Sequence, residues 1–394
     1  MQRRTLASTR TFVVPPLDAW LSMRDRLLTS AAIQRWAMRF PLTRRIARRR
    51  ARSLFDLCAG FVYSQVLFAC VELGLFELLA EGPLCAEALS RRLSLPLDAT
   101  TRLLAAARSL DLVDVRGRTR YGLGHLGAAL LGNPSLTALI EHHALLYADL
   151  HDPVAILRGD SRSRALAGYW PYAGAGRPAD LTRAEISSYT ALMSASQAMI
   201  AAQVLDAYPL HRHRCLLDVG GGDGTFLAAA AARNEALQVI LFDLPAVADL
   251  ARARFAASGI SHRARATGGD FHNDVLPAGA DIVSLVRVIH DHDDAAALGI
   301  LKAVRAALPE HGTLLLAEPM SGTPGAEPIG DAYFGFYLMA MGSGRPRTPA
   351  ELGSLLEASG FRAVTPVATR TPMLTSVLVA RVGGVRARKR VSLV

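Results

Sequence analysis

The sequence predicts an α/β fold in its C-terminal half, a parallel sheet with helices on both faces, behind a mainly helical N-terminal half. Three observations carry this. Short apolar runs at 216–219, 239–242, 282–288 and 313–317 alternate with helical stretches such as 225–233, 245–257 and 293–307. Two further runs, 361–367 and 375–382, follow a helix at 349–359 with no helix between them, which predicts an antiparallel pair at the sheet edge. Upstream, apolar residues recur at three- and four-residue steps, interrupted by one hairpin pattern.

Composition bounds what such a chain can do. With 394 residues, 51% apolar and 20% charged, it can bury enough surface for two or three compact units, which excludes a disordered protein. Its four cysteines, Cys58, Cys70, Cys85 and Cys215, are scattered without a CxxC pair. With no secretory signal, they point to a reducing cytoplasm rather than a disulfide framework or a thiolate metal site. The net charge of +10 is local: residues 1–52 hold 13 Arg and 2 Asp, net +11, so the rest of the chain sums to −1. Four segments follow: a basic extension at 1–52, a helical winged-helix-like domain at 53–182, an α/β domain at 183–384 and a basic tail at 385–394.

The extension opens on a helix over 17–40. Leu17, Trp20, Leu21, Leu27, Leu28, Ala31 and Trp36 recur at helical steps beside Arg24, Arg26, Arg35 and Arg39. Pro41 stops it, and the run Arg44 to Arg52 follows. Such a helix either lies on an anionic membrane surface as a peripheral contact or caps the next domain with a solvated face. Residues 57–71 carry no charge, but 15 residues fall short of the ~20 that cross a bilayer, so a buried or interfacial helix is expected and no transmembrane span.

Helices at 86–94 and 98–109, the second with Asp98 as N-cap, precede a hairpin of 112–115 and 121–123 around the turn 116–119. Helix, helix, hairpin is a winged-helix pattern whose obvious use is DNA binding. Residues 98–108 carry only Asp98, Arg102 and Arg108 as charges, which favours a structural or dimerising module and no nucleic acid. Helical patterns continue at 134–151 and 183–208. Between them the Gly-, Pro- and aromatic-rich stretch 168–178 reads as a linker or a loop over a cleft.

Chemistry concentrates at strand ends. Asp218-Val219-Gly220-Gly221-Gly222-Asp223-Gly224 joins the first predicted strand to a helix, and glycines there let the backbone turn sharply and approach a ligand. Thr225 stands where a dinucleotide fingerprint has a third Gly or Ala, and no P-loop lysine follows. Asp243 ends the next run, placed to accept hydrogen bonds from ribose hydroxyls. Turn and acid together indicate a nucleoside cofactor. Gly268-Gly269-Asp270-Phe271 adds an acceptor for an adenine amine and a ring to pack on it.

After the strand at 282–288 comes Ile289-His290-Asp291-His292-Asp293-Asp294. One reading is a metal cluster like the HxHxD of metallo-β-lactamase-like hydrolases, although Ala295 stands where that motif has a further His. Another makes His290 a general base at the carboxyl edge of the sheet, with Glu318 fixing its tautomer. A third is a capped helix start with a structurally satisfied histidine.

Together, LLDVGGGDG at 216–224, FDLP at 242–245, GGDF at 268–271, IHDHDD at 289–294 and LLLAEP at 314–319 resemble the S-adenosylmethionine-dependent O-methyltransferases of the caffeic acid and polyketide type. The resemblance implies a Rossmann-like class I methyltransferase domain behind a helical dimerisation domain, hence a homodimer, with no metal. It implies that Asp218, Gly220, Gly222, Asp243, Leu244, Asp270, Phe271 and Arg287 bind S-adenosyl-L-methionine. It also implies that His290 is the base and Glu318 the acid orienting it. Two positions depart from the family: His292 replaces the Trp of its HDW, and Pro346 in Ser343–Thr348 stands where its second acid lies.

Including the extension and the stretch 40–83, the whole chain resembles the carotenoid-pathway branch, the demethylspheroidene or hydroxyneurosporene O-methyltransferases of purple phototrophic bacteria. That branch implies methylation of the 1-hydroxyl of an acyclic carotenoid. The aromatic and thioether stretch 333–341 suits such a substrate and suits core packing equally. A phenolic or polyketide hydroxyl is the alternative acceptor.

Overall fold

The structure, a computed structural model, describes residues 16–159, 165–169 and 182–383. Its contacts divide the chain into two units, residues 1–127 and 128–394. Most of the glycine-rich stretch 168–178 and all of the basic tail lie outside the described residues.

In the first unit, two helices, Pro16–Thr29 and Ala31–Arg39, stand where the sequence predicts one. The break falls at Ser30, whose ψ of 115° is extended, and the Gln34 side chain donates to Leu28 O across it at 2.7 Å. Pro41 then occupies the first turn of the next helix, where its missing N–H removes no bond. That helix, Pro41–Glu72, fuses the arginine run and the charge-free stretch into 32 residues, long and apolar enough to cross a membrane. Its expected burial comes late: Leu57 and Phe61 are 81% and 72% exposed, whereas Cys70 and Val71 are buried.

Helices Ala86–Arg92 and Leu97–Ser109 pack beside a small antiparallel sheet of β1 (Leu84–Cys85), β2 (Val113–Arg116) and β3 (Arg120–Leu123), in the order β1-β3-β2. Pro96, not Asp98, caps the second helix. Asp98 lies two residues further in, where its charge complements the helix N-terminus, and pairs with Arg102 at 3.0 Å.

The second unit is built on β4 (Cys215–Val219), β5 (Gln238–Asp243), β6 (Ala264–Gly268), β7 (Ile282–Val286), β8 (Thr313–Glu318), β9 (Phe361–Val367) and β10 (Ser376–Val382). Their order is β6-β5-β4-β7-β8-β10-β9; the first five are parallel, and β10 runs antiparallel to both β8 and β9. The central strands are largely apolar because helices cover both faces, and the polar Asp218 of β4 and Ser284 of β7 bond each other. Leu216 and Leu241 face a core shared with Phe226, Phe255 and Val204, while Leu217 and Phe242 face one shared with Ile300, Val304 and Leu356. Helix Pro134–Asp149 packs on Arg183–Ala207 and Gly335–Met341. Residues 128–159 therefore group with the sheet rather than with the winged helix, whereas the sequence places that division at 182/183.

Strand β4 lies between β5 and β7, so the connections leaving β4 and β7 travel to opposite sides. A crevice opens where they part, at the carboxyl ends of the strands.

Candidate active site

A cavity of about 340 Å³ fills that crevice, within the ~300–1,000 Å³ typical of small-molecule sites. Of the sequence-predicted residues, Gly220, Gly222, Asp243, Leu244, Asp270, Phe271 and Arg287 line it. The sharp turn after β4 explains the glycines. Gly220 has φ +69°, and a Cβ there would stand 2.9 Å from Val288 Cγ2; Gly222 has φ +61° and leaves its cavity side open.

Asp243, at the end of β5, holds this turn: Gly222 N–H donates to its Oδ2 at 2.8 Å and Leu244 N–H to its Oδ1 at 2.7 Å. Burial raises its pKa to about 6, against those two bonds. Each oxygen keeps a further lone pair for a ligand hydroxyl. Asp270 staples its own loop, accepting from His272 N–H at 2.9 Å and Asn273 Nδ2 at 2.7 Å, and Phe271 lies on the wall beside Gly220. Among the described residues the lining carries Asp223, Asp243, Asp270, Asp291 and Asp293 against the guanidinium of Arg287. A cation-bearing nucleoside such as S-adenosylmethionine fits that charge, the open glycine turn and the free lone pairs of Asp243.

Asp218 is placed differently from its expected role. Its side chain points under the turn, accepts from Ser284 Oγ at 2.6 Å and lies off the cavity wall. Burial raises its pKa to about 7, and a Cβ on Gly221 would come within 2.5 Å of its Oδ2. It therefore props the glycine turn from below. The sequence missed Asp223, which lines the cavity through a network: Ser194 Oγ donates at 2.6 Å, and Thr225 Oγ1 and Arg254 also bond it. Its place in the glycine motif was the available signal. Arg287 reaches Ser196 Oγ at 2.7 Å from a left-handed backbone, φ +61°, a conformation that costs energy for a non-glycine residue.

His290 and Glu318 come together as expected, behind the wall rather than on it. His290 sits in a short turn after β7, only 5% exposed. Its Nδ1 is 3.6 Å from Glu318 Oε2, and Glu318 Oε1 accepts from Ile289 N–H at 2.5 Å. The Nε2 meets Asp291 Oδ1 at 3.1 Å, and Asp291 lines the cavity. This adjacent carboxylate, rather than a residue of the 343–348 segment, is the second acid at the histidine. That segment instead clamps the loop: Arg345 N–H donates to His290 O at 2.9 Å, and buried Arg347 donates to Ile289 O at 3.0 Å and His292 O at 2.7 Å. His292 packs edge-on against Phe271, ring centroids 5.5 Å apart, and burial pushes its pKa down to about 4. His290 and His292 thus have different partners, and among the described residues no group of three or more His, Cys, Asp or Glu is arranged to hold a metal ion.

Burial alone lowers the His290 pKa, but the carboxylates of Asp291 and Glu318 outweigh it and raise the value from 6.5 to about 10. A raised histidine pKa contributes stability in full below pH 6.5, and that contribution disappears as pH rises toward 10. Denaturant midpoints are therefore expected to fall across this window, and Asp291→Asn to flatten the fall. An unchanged slope in the variant rules this coupling out.

Comparison with known proteins follows the same lines. An O-methyltransferase domain model matches residues 147–362, and an O-methyltransferase dimerisation domain model matches residues 55–133. Demethylspheroidene O-methyltransferase of Cereibacter sphaeroides is 42% identical over 357 residues, 90% of this chain and 93% of that one. Its Rhodobacter capsulatus counterpart is 40% identical over 91% of this chain and 89% of that one. Among solved structures, human N-acetylserotonin methyltransferase in complex with S-adenosylmethionine is similar with TM-score 0.69 and 25% identity, covering 85% of this chain and 98% of that one. The calicheamicin-biosynthesis methyltransferase CalO1, with S-adenosylhomocysteine bound, gives TM-score 0.71 and 26% identity over 85% and 98%.

Proposed function

The chain belongs to the S-adenosylmethionine-dependent O-methyltransferase family, and from that premise we propose that it methylates the 1-hydroxyl of an acyclic carotenoid, with His290 as general base. The likeness to two demethylspheroidene O-methyltransferases over nine-tenths of the chain is the observation that carries the substrate class. When bound, S-adenosylmethionine supplies an electrophilic methyl on a sulfonium.

The protein's own residues do the rest. Gly220 and Gly222 take the amino acid portion of the cofactor, Asp243 accepts from the ribose hydroxyls, and Asp270 and Phe271 hold the adenine. An aliphatic hydroxyl is too weak an acid to ionise before attack, so its proton must leave as the C–O bond forms. With Nδ1–H directed at Glu318, the proton arrives at Nε2 of His290. Asp291 must first yield that nitrogen, because its Oδ1 stands on it at 3.1 Å. Phe334 packs edge-on against His290, its ring 6.0 Å away. Of the aromatic stretch, Tyr337, Leu338 and Met341 belong to the core, which leaves Tyr333, Phe334 and Phe336 half-buried for an apolar acceptor.

The proposal extends to a cytoplasmic homodimer. Phe55, Leu57 and Phe61 expose apolar surface within the residues matched by the dimerisation model, as a second copy requires.

Methyl-labelled S-adenosylmethionine offered with a detergent-dispersed 1-hydroxy acyclic carotenoid, and with a simple phenol in parallel, tests the substrate. Label is expected in the carotenoid alone. Label in the phenol alone keeps the chemistry and removes the carotenoid.

A further inference from the structure

We propose that residues 16–52 form a docking surface for an anionic phospholipid bilayer. These residues precede both matched family domains, which begin at 55 and 147, so neither accounts for them. They hold ten arginines against Asp18 and Asp25. They also carry two of the three tryptophans of the chain, Trp20 and Trp36, each 55% exposed. Around those rings Leu17, Met23, Leu42 and Ile46 expose more than half of their surface, and Trp36 stacks on Phe40 with centroids 4.9 Å apart.

Exposed apolar surface alone does not name its occupant. Charge does. A second copy of this segment brings the same excess of arginine and is repelled, whereas an anionic headgroup layer attracts it. The geometry agrees at the level of single side chains. Helices Ala31–Arg39 and Pro41–Glu72 pack on each other through half-buried Ile33, Ala37, Thr43 and Ala47, and Thr43 Oγ1 donates to Ala37 O at 2.8 Å. The hairpin is thereby satisfied internally and leaves Trp36, Met38, Phe40 and Leu42 around its turn. Tryptophan rings prefer the depth of the headgroups, and arginines keep their charges at that level on long apolar stems.

Co-sedimentation of the full chain with phosphatidylglycerol-containing vesicles, and with phosphatidylcholine vesicles as control, tests this. Binding is expected to the anionic vesicles, weakened by salt, with a blue shift of tryptophan fluorescence. The variant R44E/R45E/R48E/R49E is expected to lose about a hundredfold or more in vesicle partitioning while its S-adenosylmethionine affinity, the folding control, stays unchanged. Equal binding to both vesicle types overturns the proposal, as does a variant that binds like wild type. Sedimentation velocity without lipid covers the remaining occupant: a lower oligomeric state in Trp20→Ser/Trp36→Ser assigns the face to a second copy and overturns the proposal as well.

Discussion

His290→Ala is expected to lower kcat by about 10²–10⁴-fold while the dissociation constant of S-adenosylmethionine stays within a factor of two or so of wild type. The separation of these effects follows from position. His290 lies behind the cavity wall between Glu318 and Asp291, and forms no part of the lining that receives the nucleoside. Methyl transfer from a sulfonium needs a nucleophile, proximity and a proton acceptor, and in the proposed mechanism the histidine supplies only the last. The same residue fixes the pH dependence. Two carboxylates raise its pKa to about 10, so with His290 as the proposed base kcat is expected to rise toward alkaline pH. Asp291→Asn removes one of those charges and moves the rising limb to lower pH. Stopped turnover assays across pH, paired with calorimetric titration of the cofactor, check both statements. Weakened cofactor binding with unchanged turnover in His290→Ala contradicts the assignment.

Asp243→Ala is expected to give the opposite pattern: cofactor affinity falls by about 10²–10⁴-fold, from the loss of two charge-assisted hydrogen bonds to hydroxyls at ~1.5–3 kcal/mol each. Turnover at saturating cofactor suffers less. The carboxylate is also the acceptor for Gly222 N–H and Leu244 N–H, so its removal loosens the turn that the cofactor must meet. Thermal unfolding of the unliganded variant separates the two contributions. A cofactor affinity unchanged in a folded variant removes Asp243 from the ribose site.

The alternation of apolar runs and helical stretches made the sheet legible, because strands buried on both faces are mostly apolar. Strand β6 gave no apolar run and was placed only by the GGDF motif that follows it. Its sequence, Ala264–Gly268, lies at the sheet edge with one buried residue, Ala266, and edge strands need no apolar run. The break at Ser30 was equally silent, since neither glycine nor proline marks it and the apolar period runs through it. At the site, motif order exposed the glycine turn, Asp243, His290 and Glu318, all of which sit at strand ends fixed by local sequence. What stayed hidden depends on tertiary approach. The role of Asp291 appears once the loop after β7 turns back on itself. The buried Arg347, 58 residues from the carbonyl of Ile289 it holds, has no local signature at all.

The strand order has a consequence for how such a protein can change. Leaving β4, the chain lays down β5 and β6 on one side, then crosses to lay down β7 and β8 on the other. Asp243, Asp270 and Phe271 descend from the first wing; Arg287, His290 and Glu318 from the second. The cavity is thus closed from both sides of a single crossover, with Asp243, Asp270 and Phe271 on one side and Arg287, Asp291 and His292 on the other. In the proposed mechanism the residues nearest the acceptor hang from the second wing and the helices behind it, so variation there retunes the acceptor while the first wing keeps its hold on ribose and adenine. Such a division lets a lineage explore new acceptors without relearning how to hold the methyl source.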